Sequence, residues 1–218
     1  MARPAKRSTK RKPARQDAQQ TRSKELVQRI IESAMALTAE KGDAVTMSEI
    51  AKRSGVVIGA LYRYFADKKA INKAMLLQHY AQVDGMLKER IWSVASPNEF
   101  IATMQTVYEL YFEMHQRDPL FRNIWSLVQT DAELQALDVQ DTLKNAEMLF
   151  AVAEPLFPGA RRDELMAVCV FLLHFAASSS RLALQLPRKL GEQIRPVFQD
   201  VIADALLNLT AGKPRRKN

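Results

Sequence analysis

The sequence predicts an all-α protein: an N-terminal three-helix helix-turn-helix unit, joined by a long helix to a larger helical unit. Three observations carry that reading. Apolar residues recur at intervals of three and four through most of the 218 residues, the breaks fall at Gly and Pro, and no segment alternates apolar with polar residues between hairpin turns. No internal repeat is visible.

Residues 1–22 are rich in Ala, Pro, Arg, Lys, Ser and Gln and hold no large aliphatic side chain after Met1, so they bury too little to order themselves and predict a disordered basic arm. From Ser23 onward Leu26, Ile30, Ala34 and Leu37 share one helical face, and Gly42 supplies a stop because glycine enters the left-handed region without a Cβ clash. Thr46 and Glu49 stand at capping-box spacing, which starts a second helix; Ile50 and Ala51 turn inward and Gly55 makes the next bend. A short third helix then offers Leu61 and Phe65 to the core. Ile71, Met75, Tyr80, Val83, Leu87 and Ile91 predict a long helix over about 67–94, closed by Ser96-Pro97. Phe100, Met104, Val107, Tyr108 and Tyr111 carry another, up to Asp118-Pro119, and shorter helical stretches follow. Leu165, Val168, Leu172, Phe175, Ser179 and Leu182 mark a late helix ending before Pro187, and Ile194, Phe198, Val201, Ala205 and Leu209 mark the last. The expected division is therefore an arm (1–22), a helix-turn-helix unit (23–75), a larger helical unit (76–212) and a basic tail (213–218).

Composition narrows the function. Apolar residues make up 47% of the chain, yet no uninterrupted apolar run approaches the ~18 residues that span a bilayer. The basic N-terminus is not followed by the apolar stretch of a secretory signal. The expectation is a cytoplasmic protein with no membrane partner. The net charge of +8 sits in the tails: the first 24 residues carry nine Lys or Arg against Asp17 alone, and 213–218 carry four more, whereas 76–212 is acidic. Only the N-terminal end suits a polyanion. Cys169, inside Val168-Cys169-Val170-Phe171, reads as a buried inert thiol. His79, His115 and His174 lack metal-ligand spacing and no glycine-rich phosphate loop occurs, so neither an enzyme nor a cofactor or metal is expected.

The informative stretch is Thr46–Phe65, a helix-turn-helix pattern in which the second helix would enter the major groove. Its Tyr62 and Tyr64 hydroxyls, beside Arg63, Lys68 and Lys69, suit a phosphate backbone better than a solvated acidic surface. Gly55, Val56, Gly59, Leu61, Tyr62, Tyr64, Phe65 and Lys68 resemble the turn and recognition helix of the tetracycline-repressor (TetR) family of bacterial regulators, over about 45 residues. The resemblance implies phosphate contacts from Thr46, Tyr62, Tyr64 and Lys68, and base approach by Ser48, Ile58, Gly59 and Ala60. Val57 stands where the family usually has Ser, and Ala60 where it has Ser or Thr. Either the apolar Val57, Ile58 and Ala60 read thymine methyls, or sequence preference moves to Arg63 and the arm.

The resemblance further implies a C-terminal unit that dimerises and binds a small, mostly apolar molecule. Candidates for the ligand site are Met104, Tyr108, Phe112, His115, Trp125, Asn145, Met148, Phe171, His174 and Phe175; each also fits an ordinary helical core. The last two long helices are the expected homodimer face, with the small run Ala176–Ser180 allowing close approach. A two-fold dimer implies a palindromic operator in double-stranded DNA. The reading that follows is a repressor released from DNA by its ligand. The alternatives are a sequence-tolerant DNA-coating protein working through its basic arm, and a helical ligand carrier without DNA affinity.

Overall fold

The computed structural model describes residues 13–210, with side chains from 18 to 209. Among the described residues there are nine α-helices and no strand: α1 (Pro13–Lys41), α2 (Met47–Ser54), α3 (Ile58–Tyr64), α4 (Lys68–Ile91), α5 (Pro97–Arg117), α6 (Pro119–Thr130), α7 (Ala132–Ala153), α8 (Arg162–Gln185) and α9 (Arg188–Thr210), with one 3₁₀ turn (Gly42–Ala44) after α1.

Helix starts are set by local chemistry. Asp67 caps α4 by accepting from the Ala70 amide at 2.8 Å, and Ser96 caps α5 by accepting from Glu99 at 3.2 Å. Asp118 and Asp131 each close one helix and cap the next, accepting from Leu120 at 2.8 Å and from Glu133 at 2.9 Å. Pro97 and Pro119 occupy first-turn positions, where the missing N–H is no loss.

Three boundaries differ from expectation. Residues 13–22, expected in the arm, extend α1 backwards by ten residues of mostly good helix formers such as Ala, Arg and Gln. The rest of the arm (1–12) and the tail (213–218) lie outside the described residues. The "shorter" stretches after Pro119 include α7, at 22 residues one of the long helices. The last helix starts at Arg188 and runs through Pro196, which the apolar period alone does not show.

Two apolar clusters build the interior. The first joins Ile30, Ala34 and Leu37 of α1 to Ile50, Leu61, Phe65, Ile71 and Met75, and continues without a break into Tyr111, Leu120, Ile124 and Trp125 of α5 and α6. The helix-turn-helix is thus fused to its neighbour by packing, and the core does not part at residue 75. Asn123 of α6 strengthens the joint by donating to the Thr38 carbonyl at 2.7 Å. The second cluster packs Leu87 and Ile91 against Phe100, Phe157, Leu165, Cys169, Phe198 and Leu206, and burial pushes the Cys169 thiol up to about 12. Helix α8 is long and apolar enough to cross a bilayer by length and composition. Its inward residues Leu165, Val168 and Leu172 belong to this second core.

Candidate DNA interface and ligand cavity

The helix-turn-helix is built from the bottom by its caps. Thr46 Oγ1 accepts from the Glu49 amide at 3.3 Å while Glu49 Oε2 accepts from the Thr46 amide at 2.9 Å, completing the expected capping box. Lys41 adds an ion pair to Glu49 at 2.6 Å, and that neighbour, with the Thr46 donors, holds the carboxyl at about 2. Gly55 ends α2 with φ 69°, the left-handed conformation that the turn requires. Val56 then donates to the Ala51 carbonyl at 3.0 Å, fixing the entry to α3.

Helix α3 divides into two faces. Leu61 is fully buried and Phe65 nearly so, anchoring the helix to α1 and α2. Outward stand Val57 (75% exposed), Ile58 (41%), Tyr62 (52%), Gly59, Arg63 and Tyr64, with Ala60 half-buried. Thr46 and Ser48 are exposed at the start of α2. Val57 holds the N-cap position of α3 with no side-chain hydrogen bond, the structural consequence of an apolar residue there. The lysines expected beside the tyrosines are engaged elsewhere. Lys68 Nζ pairs with Asp43 Oδ1 at 2.7 Å and also donates to the Asp43 carbonyl, so it fastens α4 to the 3₁₀ turn. Lys69 reaches Asp131 at 3.1 Å, and Lys73 reaches Glu133 at 2.7 Å, tying α4 to the start of α7.

The larger part encloses a mostly apolar cavity of about 90 Å³ between α4, α5, α7, α8 and α9, with Trp125 of α6 at one wall. Five of the ten expected ligand-site residues line it: Met104, Tyr108, Trp125, Asn145 and His174. The other five do not. His115 is buried outside the cavity lining, donating through Nδ1 to the Tyr111 carbonyl at 2.8 Å and packed edge-on to His79. Met148 belongs to the second core. Phe112 carries the Arg195 guanidinium over its ring at 4.6 Å and lines a separate cleft between α5, α8 and α9. Phe171 and Phe175 stack on each other at 4.4 Å on the outer surface of α8. Helical spacing places a residue on a face, and for α8 the aromatic face points away from the interior.

The residues missed are the polar ones. Asp138, Asp141 and Thr142 of α7 and His79 and Tyr80 of α4 line the cavity beside Asn145. Tyr80 donates to Asp138 Oδ1 at 2.9 Å, and Asn145 donates to Asp141 Oδ2 at 3.0 Å. Burial, reinforced by Asp84, pushes the Asp141 carboxyl up to about 6, and burial pushes Asp138 upward too. Burial holds His79 down at about 3 and His115 at about 4, so both rings are neutral. A signal existed in the sequence: Asp138, Asp141 and Asn145 share the helical face of the apolar Leu134 and Leu149.

The run Ala176–Ser180 is not an outward surface. Ala177 and Ser180 are buried, and Ser179 donates to the Tyr108 hydroxyl at 3.3 Å, so these small residues let α8 approach its own chain. The large apolar residues that α8 and α9 do expose are Phe171, Phe175, Leu182, Leu190, Val197 and Leu207.

Known proteins match this arrangement in both halves. Residues 30–75 match the N-terminal domain described as bacterial regulatory proteins of the tetR family, and residues 99–209 match the tetracyclin repressor-like C-terminal domain. The HTH-type transcriptional repressor KstR of Rhodococcus jostii is 28% identical over 139 residues, which span 63% of each chain, so the chain aligns with less than two thirds of that relative's length. Among solved structures, a TetR-family regulator from Pectobacterium atrosepticum superposes with a TM-score of 0.65 at 18% identity, covering 89% of this chain and 98% of that one. RolR in complex with resorcinol superposes with a TM-score of 0.59 at 17% identity, covering 89% and 98%. With both domains matched in order, residues 30–75 and then 99–209, the chain belongs to the TetR family of bacterial regulatory proteins.

Proposed function

We propose that this chain is a dimeric, sequence-specific DNA-binding repressor that a small, mostly apolar ligand releases from a palindromic operator. The observation that carries the reading is the two-sided α3, with Leu61 and Phe65 locked into the core while Val57, Ile58, Tyr62, Arg63 and Tyr64 stand free of it. A helix so held presents side chains at fixed positions, which base readout requires. The apolar Val57, Ile58 and Ala60 meet thymine methyls, Tyr62 and Tyr64 hold phosphates with Thr46 and Ser48 nearby, and Arg63 supplies the charged base or phosphate contact. Lys68 joins them by exchanging Asp43 for phosphate. The exposed Phe171, Phe175, Leu182, Leu190 and Val197 form the face on which a second copy packs, pairing α8 and α9 across a two-fold axis. The KstR relative is itself a transcriptional repressor, and RolR holds a small ring molecule, which supports the ligand-responsive reading. The protein acts by binding rather than by catalysis, in the compartment that holds its operator.

Selecting bound fragments from random duplex DNA near physiological salt tests this. An enriched palindrome is the expected result. Enrichment of A·T content alone overturns it in favour of a coating protein, because such a protein has little specificity ratio.

A further inference from the structure

The cavity's apolar part and its polar side differ sharply in chemistry, and the difference says what kind of molecule fits. Tyr108, Tyr111, Trp125 and Phe198 give it aromatic walls. Its volume of about 90 Å³ is below the roughly 150 Å³ that holds benzene in an apolar cavity, so one ring enters with modest relaxation and a fused polycycle does not.

The polar side lies where α4 faces α7. Asp138, Asp141 and Asn145 reach it from α7. Two buried groups on the lining have no hydrogen-bond partner: His79 Nδ1 and Asn145 Oδ1, on residues that are 2% and 5% exposed. Polar atoms left unpaired this deep are costly to bury, and a bound molecule that pairs them recovers that cost. The nearby charge is predominantly negative. Asp84 adds a third carboxylate behind Asp141, Lys144 pairs with Asp84 from the exposed surface, and Arg181 lies over the outer side of the Trp125 wall at 4.2 Å, its Nη2 donating to Ser178 and its Nη1 buried without a partner. Neither cation lines the cavity, and His174 stands exposed at its rim.

We infer that the ligand is a single-ring molecule bearing a hydroxyl or amino group and no negative charge, its donor held by Asn145 Oδ1 and the Asp138–Asp141 carboxylates. The inference rests on the ligand-responsive reading above. An anion would leave water to meet two carboxylates with no lining cation to receive it. The upward displacement of the Asp141 carboxyl agrees, since an ammonium beside it would draw it back down.

The test uses the full chain and three matched probes, benzyl alcohol, benzylamine and benzoate, each followed by thermal unfolding and by calorimetric titration. Benzyl alcohol and benzylamine are expected to raise the unfolding midpoint and to bind at least about tenfold more tightly than benzoate. Asp141→Asn, nearly isosteric, is expected to weaken benzylamine by about tenfold while sparing benzyl alcohol. Benzoate binding as well as the other two, no binding by any probe, or an Asp141→Asn variant that treats all three alike would overturn the proposal. Operator selection is run without probes, so a protein that binds the alcohol and amine but no specific DNA refutes the regulator reading alone. One that binds an operator but prefers benzoate refutes the ligand class alone.

Discussion

At Gly191 α9 lies directly against the backbone of α8, and replacing it tests how the larger part is held together. A methyl added at this position would fall inside the contact distance of the Ala183 carbonyl oxygen and lie 3.1 Å from its carbon, both backbone atoms of α8 that no side-chain rotation relieves. Gly191→Ala must therefore part the two helices by about 1 Å, an overpacking strain of about 2–3 kcal/mol. In a chain of this size each kcal/mol moves the midpoint by about 2–4 °C, so Gly191→Ala should lower it by about 4–12 °C. Gly85, inside α4, is the control: an added methyl meets nothing within 4 Å, and Gly→Ala in an open helix stabilises by about 0.5–1 kcal/mol. Circular dichroism melts of the two variants should thus move in opposite directions. If Gly191→Ala melts at or above the parent, the close crossing is not a constraint and the account of α8 and α9 fails. Sedimentation of the same sample gives a second readout, since the exposed apolar stripes on both helices shift with the crossing.

Three further outcomes follow from the same physics. Leu61→Ala should cost about 2–5 kcal/mol, because the side chain is wholly buried, whereas Tyr62→Phe, altering one exposed hydroxyl, should leave urea stability within about 0.5 kcal/mol and weaken operator binding; equal effects on folding would contradict the two-sided helix. His79 and His115 are held neutral at about 3 and about 4, below the unfolded value near 6.5, so their contribution is present above about pH 6.5 and fades as pH falls toward the folded values, while Asp141, raised to about 6, works in the opposite sense below that pH. Urea titrations at pH 7 and pH 5 should show a net loss of about 2 kcal/mol; a flat or rising profile would mean the rings are not buried as described. Removing residues 1–12, which hold Arg3, Lys6, Arg7, Lys10, Arg11 and Lys12, should weaken DNA binding and flatten its dependence on salt, and an unchanged salt slope would assign all phosphate contacts to the folded part.

Legibility in the sequence tracked how local the deciding physics was. The capping box at Thr46 and Glu49, the left-handed Gly55 and the inward Leu61 and Phe65 depend on neighbours within a few residues, and each stands as expected. The helical period also located α4, α5 and α8 to within a few residues. What the period does not give is which face meets which partner. Spacing sets Phe175 and Leu182 on one stripe with Leu165 and Leu172, yet the first two face out and the other two face in. Lys69, grouped by sequence with the tyrosines of α3, answers instead to Asp131, some sixty residues away at the start of α7. The cavity's polar lining depends in the same way on α7 docking against α4, and an isolated Asp in a helix carries no mark of that contact beyond its position on an apolar face.

The α4 helix joins these observations into a route between the two sites. Its first turn holds Lys68 against the 3₁₀ turn beneath the helix-turn-helix, its second turn is clamped to α7 by Lys73, and its fourth presents His79 and Tyr80 to the cavity. The tie at that upper end is the Tyr80–Asp138 hydrogen bond, a buried pair between α4 and α7. On the proposed reading, a donor-bearing ligand held by Asp138 and Asp141 shares the Asp138 carboxylate with Tyr80, so occupancy and the α4–α7 contact would be linked through one side chain. Any ligand acts only through its differential affinity for two arrangements, and a shared acceptor provides such a difference without a change in the apolar packing. The lower end of α4 is bonded to the 3₁₀ turn and packed with Leu61 and Phe65 in one continuous core. A shift of α4 therefore carries α3 with it, and in a two-fold dimer that alters the distance between two recognition helices, the quantity to which a palindromic site is most sensitive.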